Sequence, residues 1–292
     1  MIEPKTIPLS ELSPRHENAP LTKNSIFDGS HAETGVSRYR SALSNGYPLD
    51  YLLVNRQSNT LVVSFHGALD RSKFSIPRFE RVATLAETDF SILAFADPWL
   101  HSNETVQLTW FSGNLEIDLF AILAYKIRLI AETIGAKRIV LSGSSGGGFA
   151  SLQVAPMVPG SKTLVFNPQT QIHRYVLPNG SVWAQKNYIN AVLPEVHGVS
   201  DRDVDGVNDW TWIMGDRLSA VRRYSRDHAT RILYATNVSD HHHDDHFRPF
   251  FYALKDRESE MQVEVLEYDD GETHVPPERD VFMSALEKLL RL

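Results

Sequence analysis

The chain alternates short apolar runs with longer amphipathic stretches. Tyr51-Leu52-Leu53-Val54, Leu61-Val62-Val63-Ser64-Phe65, Ser91-Ile92-Leu93-Ala94-Phe95-Ala96 and Arg138-Ile139-Val140-Leu141 have the length and the β-branched or aromatic content of strands. Residues 162–166, 231–235 and 262–268 repeat that texture, while 117–134, 147–157, 245–257 and 279–291 read as helices. The helix at 117–134 has Glu116 and Asp118 near its start, Lys126 and Arg128 later, and Gly135 as its stop, the charge order that a helix dipole favours. The first two runs, separated by residues 55–59, read as a hairpin at a sheet edge. Strands alternating with helices predict an α/β fold, a mostly parallel sheet with helices on both faces.

Two segments break the alternation. Residues 1–46 are polar, rich in turn formers and without sustained periodicity, and read as an N-terminal arm. Residues 168–229 separate two strands by far more than an ordinary connection and hold Tyr175, Trp183, Tyr188, Trp210 and Trp212. They read as an inserted cap, its aromatics closing a small core of their own or lining a substrate pocket, with 47–167 and 230–292 forming the core domain.

Composition narrows the function classes. The chain has 292 residues, 42% hydrophobic and 22% charged, with a formal net charge of −7. That is ordinary globular composition, and an acidic chain is a poor match for nucleic acid or an anionic lipid surface. With Cys 0, disulfides, thiolate metal sites and thiol nucleophiles are excluded. Residues 1–20 lack the apolar core of a signal peptide, and the apolar stretch at 117–134 is broken by Asp118, Lys126, Arg128 and Glu132, so a cytoplasmic protein without a membrane span is expected.

The chemistry concentrates in Gly143-Ser144-Ser145-Gly146-Gly147-Gly148, which follows a strand directly and precedes a helix. Its first five residues fit G-x-S-x-G, in which the serine sits on a turn so sharp that its neighbours two before and two after must lack side chains. Nucleotide-cradling loops want G-x-G-x-x-G or a lysine closing G-x-x-x-x-G-K-[ST], and neither is present. Past the strand at 231–235 comes Thr236-Asn237-Val238-Ser239-Asp240, and past the strand at 262–268 comes Asp269-Asp270-Gly271-Glu272-Thr273-His274. In turn, elbow and chain order (serine, acid, histidine) residues 50–292 resemble the α/β-hydrolase superfamily.

The resemblance implies Ser145 as nucleophile, His274 as base and Asp240 as the acid that orients it, with Asp244 or Asp245 as alternatives for the acid. It implies an oxyanion hole from the N–H of Gly146 and of Ala68 or Leu69, in the His66-Gly67-Ala68-Leu69 loop after an early strand. Asn167 puts an amide where some members carry the acid, which favours the Asp240 loop. His66, Trp99, Trp110 and Asn167 are candidate pocket residues, His66 having a structural reading as well. The run His241-His242-His243-Asp244-Asp245-His246 reads as a polar loop bordering the acid rather than a metal site. No cofactor is expected. The function implied is a serine esterase acting on a small-molecule or glycan ester, with a peptidase or a non-catalytic binding module as other readings. The elbow Gly-Ser-Ser-Gly-Gly-Gly-Phe-Ala and Phe166-Asn167-Pro168-Gln169 also resemble hydrolase-fold proteins of bacterial surface-glycan synthesis and export, some of them O-acetyltransferases. Acyl transfer to a sugar is therefore the alternative reaction.

Overall fold

The structure is a computed structural model and describes residues 9, 27, 29, 32–194, 204–226, 230–255 and 262–292. Most of the predicted arm thus lies outside the described residues. Eight strands form one sheet in the order β1-β2-β4-β3-β5-β6-β7-β8: β1 Gly35–Ala42, β2 Pro48–Asn55, β3 Thr60–Phe65, β4 Ser91–Phe95, β5 Arg138–Ser144, β6 Lys162–Phe166, β7 Arg231–Asn237 and β8 Gln262–Tyr268. β1–β2 and β2–β4 pair antiparallel, and the remaining neighbours pair parallel.

Side-chain alternation along the strands sorts the core into two layers. Leu61, Val63, Leu93, Leu141, Val165 and Ile232 face the layer covered by α2 Leu119–Thr133 and α3 Ser145–Val154. Val62, Ile92, Ala94, Val140, Leu164 and Leu233 face the opposite layer, covered by α1 Val82–Leu85 and α7 Arg279–Arg291. Continuous burial of both faces explains why these strands read as unbroken apolar runs.

At the antiparallel edge of the sheet the chain departs from the sequence expectation twice. The arm does not extend to residue 46, because Gly35–Ala42 is the edge strand β1, hairpinned onto β2 through Leu43 N–H to Tyr47 O at 2.9 Å. Arg38 and Arg40 hid it: both reach Asp50 across the hairpin, at 2.7 and 2.8 Å, so charged residues occur at strand spacing. Second, β2 and β3 are not a hairpin. β4 lies between them, antiparallel to β2 and parallel to β3, so the burial of both strands comes from a non-local partner.

Between β6 and β7 lie α4 Trp183–Val192 and α5 Ala220–Arg223. Tyr175, Tyr188, Trp210 and Tyr224 belong to the same apolar cluster as α2 and α3, not to a core of their own. Polar ties reinforce the docking: Tyr188 and Ser112 hydroxyls meet at 2.7 Å, Trp210 donates to Gln185 at 2.7 Å, and Tyr224 donates to Leu152 O at 2.9 Å. Trp183 and Trp212 stay exposed, the latter under the Arg222 guanidinium. Beyond β7, the helix expected from residue 245 starts earlier and differently, with a single wide turn, His243–Phe247, leading into α6 Arg248–Lys255. Among the described residues no helix is long and apolar enough to cross a membrane.

Candidate active site

A parallel sheet places the C-terminal ends of its strands in one row, and the loops beyond them share one edge. Here Phe65 pairs with Gly143, Ser144 with Phe166, Phe166 with Ala235 and Asn237 with Tyr268. The loops carrying Gly67, Ser145, Asn167, Asp240 and His274 therefore meet.

Ser145 stands at the junction of β5 and α3 with φ 53°, the left-handed region that costs a non-glycine residue on the order of 1–2 kcal/mol. The flanking glycines make that turn possible. A Cβ on Gly143 would lie 2.3 Å from Gly147 C, and one on Gly147 would lie 2.1 Å from Phe65 O. The predicted helix at 147–157 thus begins at Ser145 itself, which puts the hydroxyl and the Gly146 N–H in the first turn, where N–H groups have no intrahelical acceptor.

The Ser145 hydroxyl meets His274 Nε2 at 2.9 Å, and His274 Nδ1 meets Asp240 Oδ2 at 2.6 Å. Asp240 is 3% exposed, and its Oδ1 also accepts from the His242 backbone N–H at 3.0 Å, His242 Nδ1 at 3.1 Å and His241 Nδ1 at 3.1 Å. Burial pushes its carboxyl up, but the hydrogen bonds from His241, His242 and His274 outweigh that and hold it well below the usual carboxylate range. Asp244 is exposed and paired with Arg248 at 2.9 Å, and Asp245 has its carboxyl raised by burial; the carboxylate bonded to His274 is Asp240.

On the other side of the serine, the loop after β3 lies against the elbow. A Cβ on Gly67 would be 3.3 Å from Ser144 O and 3.6 Å from Ser145 Cβ. Glu80 Oε2 accepts the Gly67 N–H at 3.0 Å, so that donor is spent. Leu69 N–H is spent as well, on Gln107 O at 2.8 Å, which corrects its candidacy as an oxyanion donor. Ala68 is exposed and lines the cavity; among the described residues its N–H has no acceptor. The cavity, about 120 Å³, is walled by Gly67, Ala68, Glu80, Asn167, His274 and Val275 around Ser145.

Of the four candidate pocket residues, Asn167 lines this cavity; its amide donates to Tyr268 OH at 2.9 Å and accepts from Asn237 N–H at 2.7 Å. The other three do not. His66 is buried, with Nδ1 donating to Gly67 O at 2.8 Å and Nε2 accepting from Asp97 N–H at 3.0 Å, so both nitrogens serve the backbone. Trp99 is core, edge-on to Tyr47. Trp110 is fully buried behind the site, its left-handed backbone followed by that of Phe111, whose N–H bonds Asp97 Oδ2 at 2.7 Å.

The histidine run borders the acid and is largely buried. His242, His243 and His246 point inward, and His242 stacks on His274 with centroids 3.8 Å apart and planes 6° from parallel. Asp240, His241 and His242 offer ligand atoms within 4.8 Å of one another, and those atoms are the ones already hydrogen-bonded together. Gln169, which the sequence reading assigns no role, also reaches the site. It is fully buried and its Nε2 lies 2.8 Å from Ser145 Oγ, 2.7 Å from His242 Nε2. Its position just past β6, in the same row as the other loops, is the signal that could have found it.

Burial makes the fold sensitive to acid. It lowers His66 to about 4, His242 to about 3 and His246 well below the ordinary imidazole value, while it raises Asp97 to about 6. Below pH 6.5 the unfolded chain therefore binds three protons that these histidines refuse in the native state, and native Asp97 keeps one that its unfolded form releases above pH 3.8. The signs give a net uptake of two protons on unfolding near pH 5 from these four groups, three minus one. Stability is expected to fall by about 3 kcal/mol per pH unit there. Urea midpoints at pH 7.5, 6 and 5 check this; a flat profile contradicts it.

No protein-family model and no curated protein matches the sequence. Among solved structures, the chain is similar to a capsule O-acetyltransferase of Neisseria meningitidis serogroup A, with a TM-score of 0.60 at 13% identity over 88% of this chain and 97% of that one. An acetyl xylan esterase from Paenibacillus sp. R4 matches with a TM-score of 0.55 at 16% identity, covering 90% of this chain and 87% of that one. The Pyrococcus furiosus esterase Pf2001 matches with a TM-score of 0.54 at 13% identity, covering 92% and 94%. With the sheet order, the serine elbow and these likenesses together, the chain has the α/β-hydrolase fold.

Proposed function

We propose that the protein is a serine acyl hydrolase that cleaves a carboxylic ester through an acyl-Ser145 intermediate. The observation that carries this reading is the run of contacts from Ser145 Oγ through His274 to buried Asp240, at 2.9 and 2.6 Å. A serine hydroxyl is a weak nucleophile until a base takes its proton. In this reading His274 Nε2 takes that proton as Oγ bonds to the substrate carbonyl carbon, and Asp240 holds the imidazole with Nδ1–H inward and balances its charge. The carbonyl oxygen gains the electron pair and meets the N–H groups of Gly146 and Ala68. His274 then protonates the departing alcohol, and water repeats the sequence on the acyl-enzyme.

The alternative, transfer of the acyl group to a glycan hydroxyl, differs only in which oxygen attacks the acyl-enzyme. It draws support from the likeness to the capsule O-acetyltransferase over most of both chains. p-Nitrophenyl acetate is expected to be turned over to free acetate, with Ser145→Ala protein as the blank. Mass spectrometry of the products with oligosaccharide acceptors present discriminates the two: acetylated sugar in place of acetate replaces hydrolysis by transfer.

A further inference from the structure

Gln169 and His242 close a ring of hydrogen bonds on the site, and the donor in every link is forced by neighbours that can play one role only. Trp110 Nε1–H can only donate, and it reaches Gln169 Oε1 at 3.2 Å, which turns the amide so that its NH₂ faces Ser145 and His242. The Asp240 carboxylate can only accept, so His242 presents Nδ1–H to it and leaves Nε2 bare to accept from the amide. One amide hydrogen goes to His242 Nε2 at 2.7 Å and the other to Ser145 Oγ at 2.8 Å. Two arms thus run from Gln169 to Asp240, one through Ser145 and His274, the other through His242.

Around Oγ this leaves a defined geometry. Cβ takes one tetrahedral direction, the proton shared with His274 a second and the Gln169 N–H a third, so a single lone pair remains for the incoming carbonyl carbon. Resting on the acyl-Ser145 reading, we propose that Gln169 is a further catalytic residue, donating to Oγ throughout the reaction, and that His242 is the positioning residue that holds its amide in register. During acylation the Oγ–C bond forms, the carbonyl pair moves to oxygen and the proton moves to His274. During deacylation the pair of the breaking C–Oγ bond returns to Oγ, which recovers a proton from His274. In both steps the Gln169 N–H offsets negative charge on Oγ, whereas the oxyanion N–H groups act on the other oxygen.

The test is pre-steady-state turnover of p-nitrophenyl acetate, with fluorophosphonate labelling of Ser145 as the independent check on the underlying reading. Gln169→Met and Gln169→Glu are each expected to slow the acylation burst and the later steady rate on the order of 100-fold, with KM little changed. His242→Gln can donate to Asp240 and accept from Gln169, and is expected to keep most of the wild-type rate. His242→Phe keeps the stack on His274 without the hydrogen bonds, and is expected to lose as much as Gln169→Met. Folded Gln169 variants with wild-type burst rates overturn the proposal, as does His242→Phe outperforming His242→Gln. If wild type is not labelled at Ser145, the acyl-enzyme reading itself fails, a separate result. Should the variants not fold, histidine ¹⁵N spectra of wild type decide: His242 protonated at Nδ1 supports the ring, and protonation at Nε2 overturns it.

Discussion

Ser145→Ala is expected to reduce ester turnover by at least about 10³-fold, to the level of uncatalysed hydrolysis plus whatever binding and the oxyanion donors contribute. The change removes one oxygen from a half-buried turn whose backbone is fixed by Gly143 and Gly147 packing, so the fold is expected to survive. His274→Ala is expected to match it, since without a base within 2.9 Å the hydroxyl keeps its proton. The double variant is expected to be no worse than either single one, because residues that act as a unit are not additive. Initial rates on p-nitrophenyl acetate, with circular dichroism to verify folding, check all three; residual rates within tenfold of wild type contradict the assignment.

Asp240→Asn is the second large effect, and it acts on stability as well as rate. The carboxylate accepts from three imidazoles and a backbone N–H while 3% exposed. An asparagine amide offers one oxygen to these donors and turns two hydrogens toward the rest, so at least one buried N–H loses its acceptor, at about 1–3 kcal/mol. Where the amide NH₂ faces His274, the imidazole is forced into the wrong tautomer, with Nε2 protonated and unable to accept from Ser145; a loss of about 10⁴-fold in rate is the scale for that fault. Asp244→Asn breaks only the exposed pair with Arg248 and is expected to leave rate and melting temperature near wild type. Equal losses in the two variants contradict the role given to Asp240.

Much of this was legible because a parallel sheet converts chain order into spatial order. Ser145 and Asp240 each follow a strand whose run of buried residues is plain in the sequence, His274 follows the half-exposed edge strand β8, and the register places those strand ends along one edge. What stayed hidden depends on partners distant in sequence. β1 reads as polar because Arg38 is buried only by virtue of Asp50 across the hairpin. β2 and β3 look like neighbours because they are consecutive, yet β4 separates them. Trp99 and Trp110 suggested a pocket, but each fills core behind the loops, where Trp110 Nε1–H bonds the Gln169 amide oxygen. The histidine run reads as a polar loop beside the acid, and its burial was hidden because it depends on Asp240 gathering His241, His242 and His274.

The most direct test of an acyl-Ser145 mechanism is intact-mass analysis after treatment with a fluorophosphonate, followed by peptide mapping. The expected result is one phosphonyl adduct per chain, on the peptide containing Ser145, absent from Ser145→Ala and slowed in His274→Ala. Folded wild-type protein that gains no adduct, or Ser145→Ala protein that gains the same one, contradicts the account.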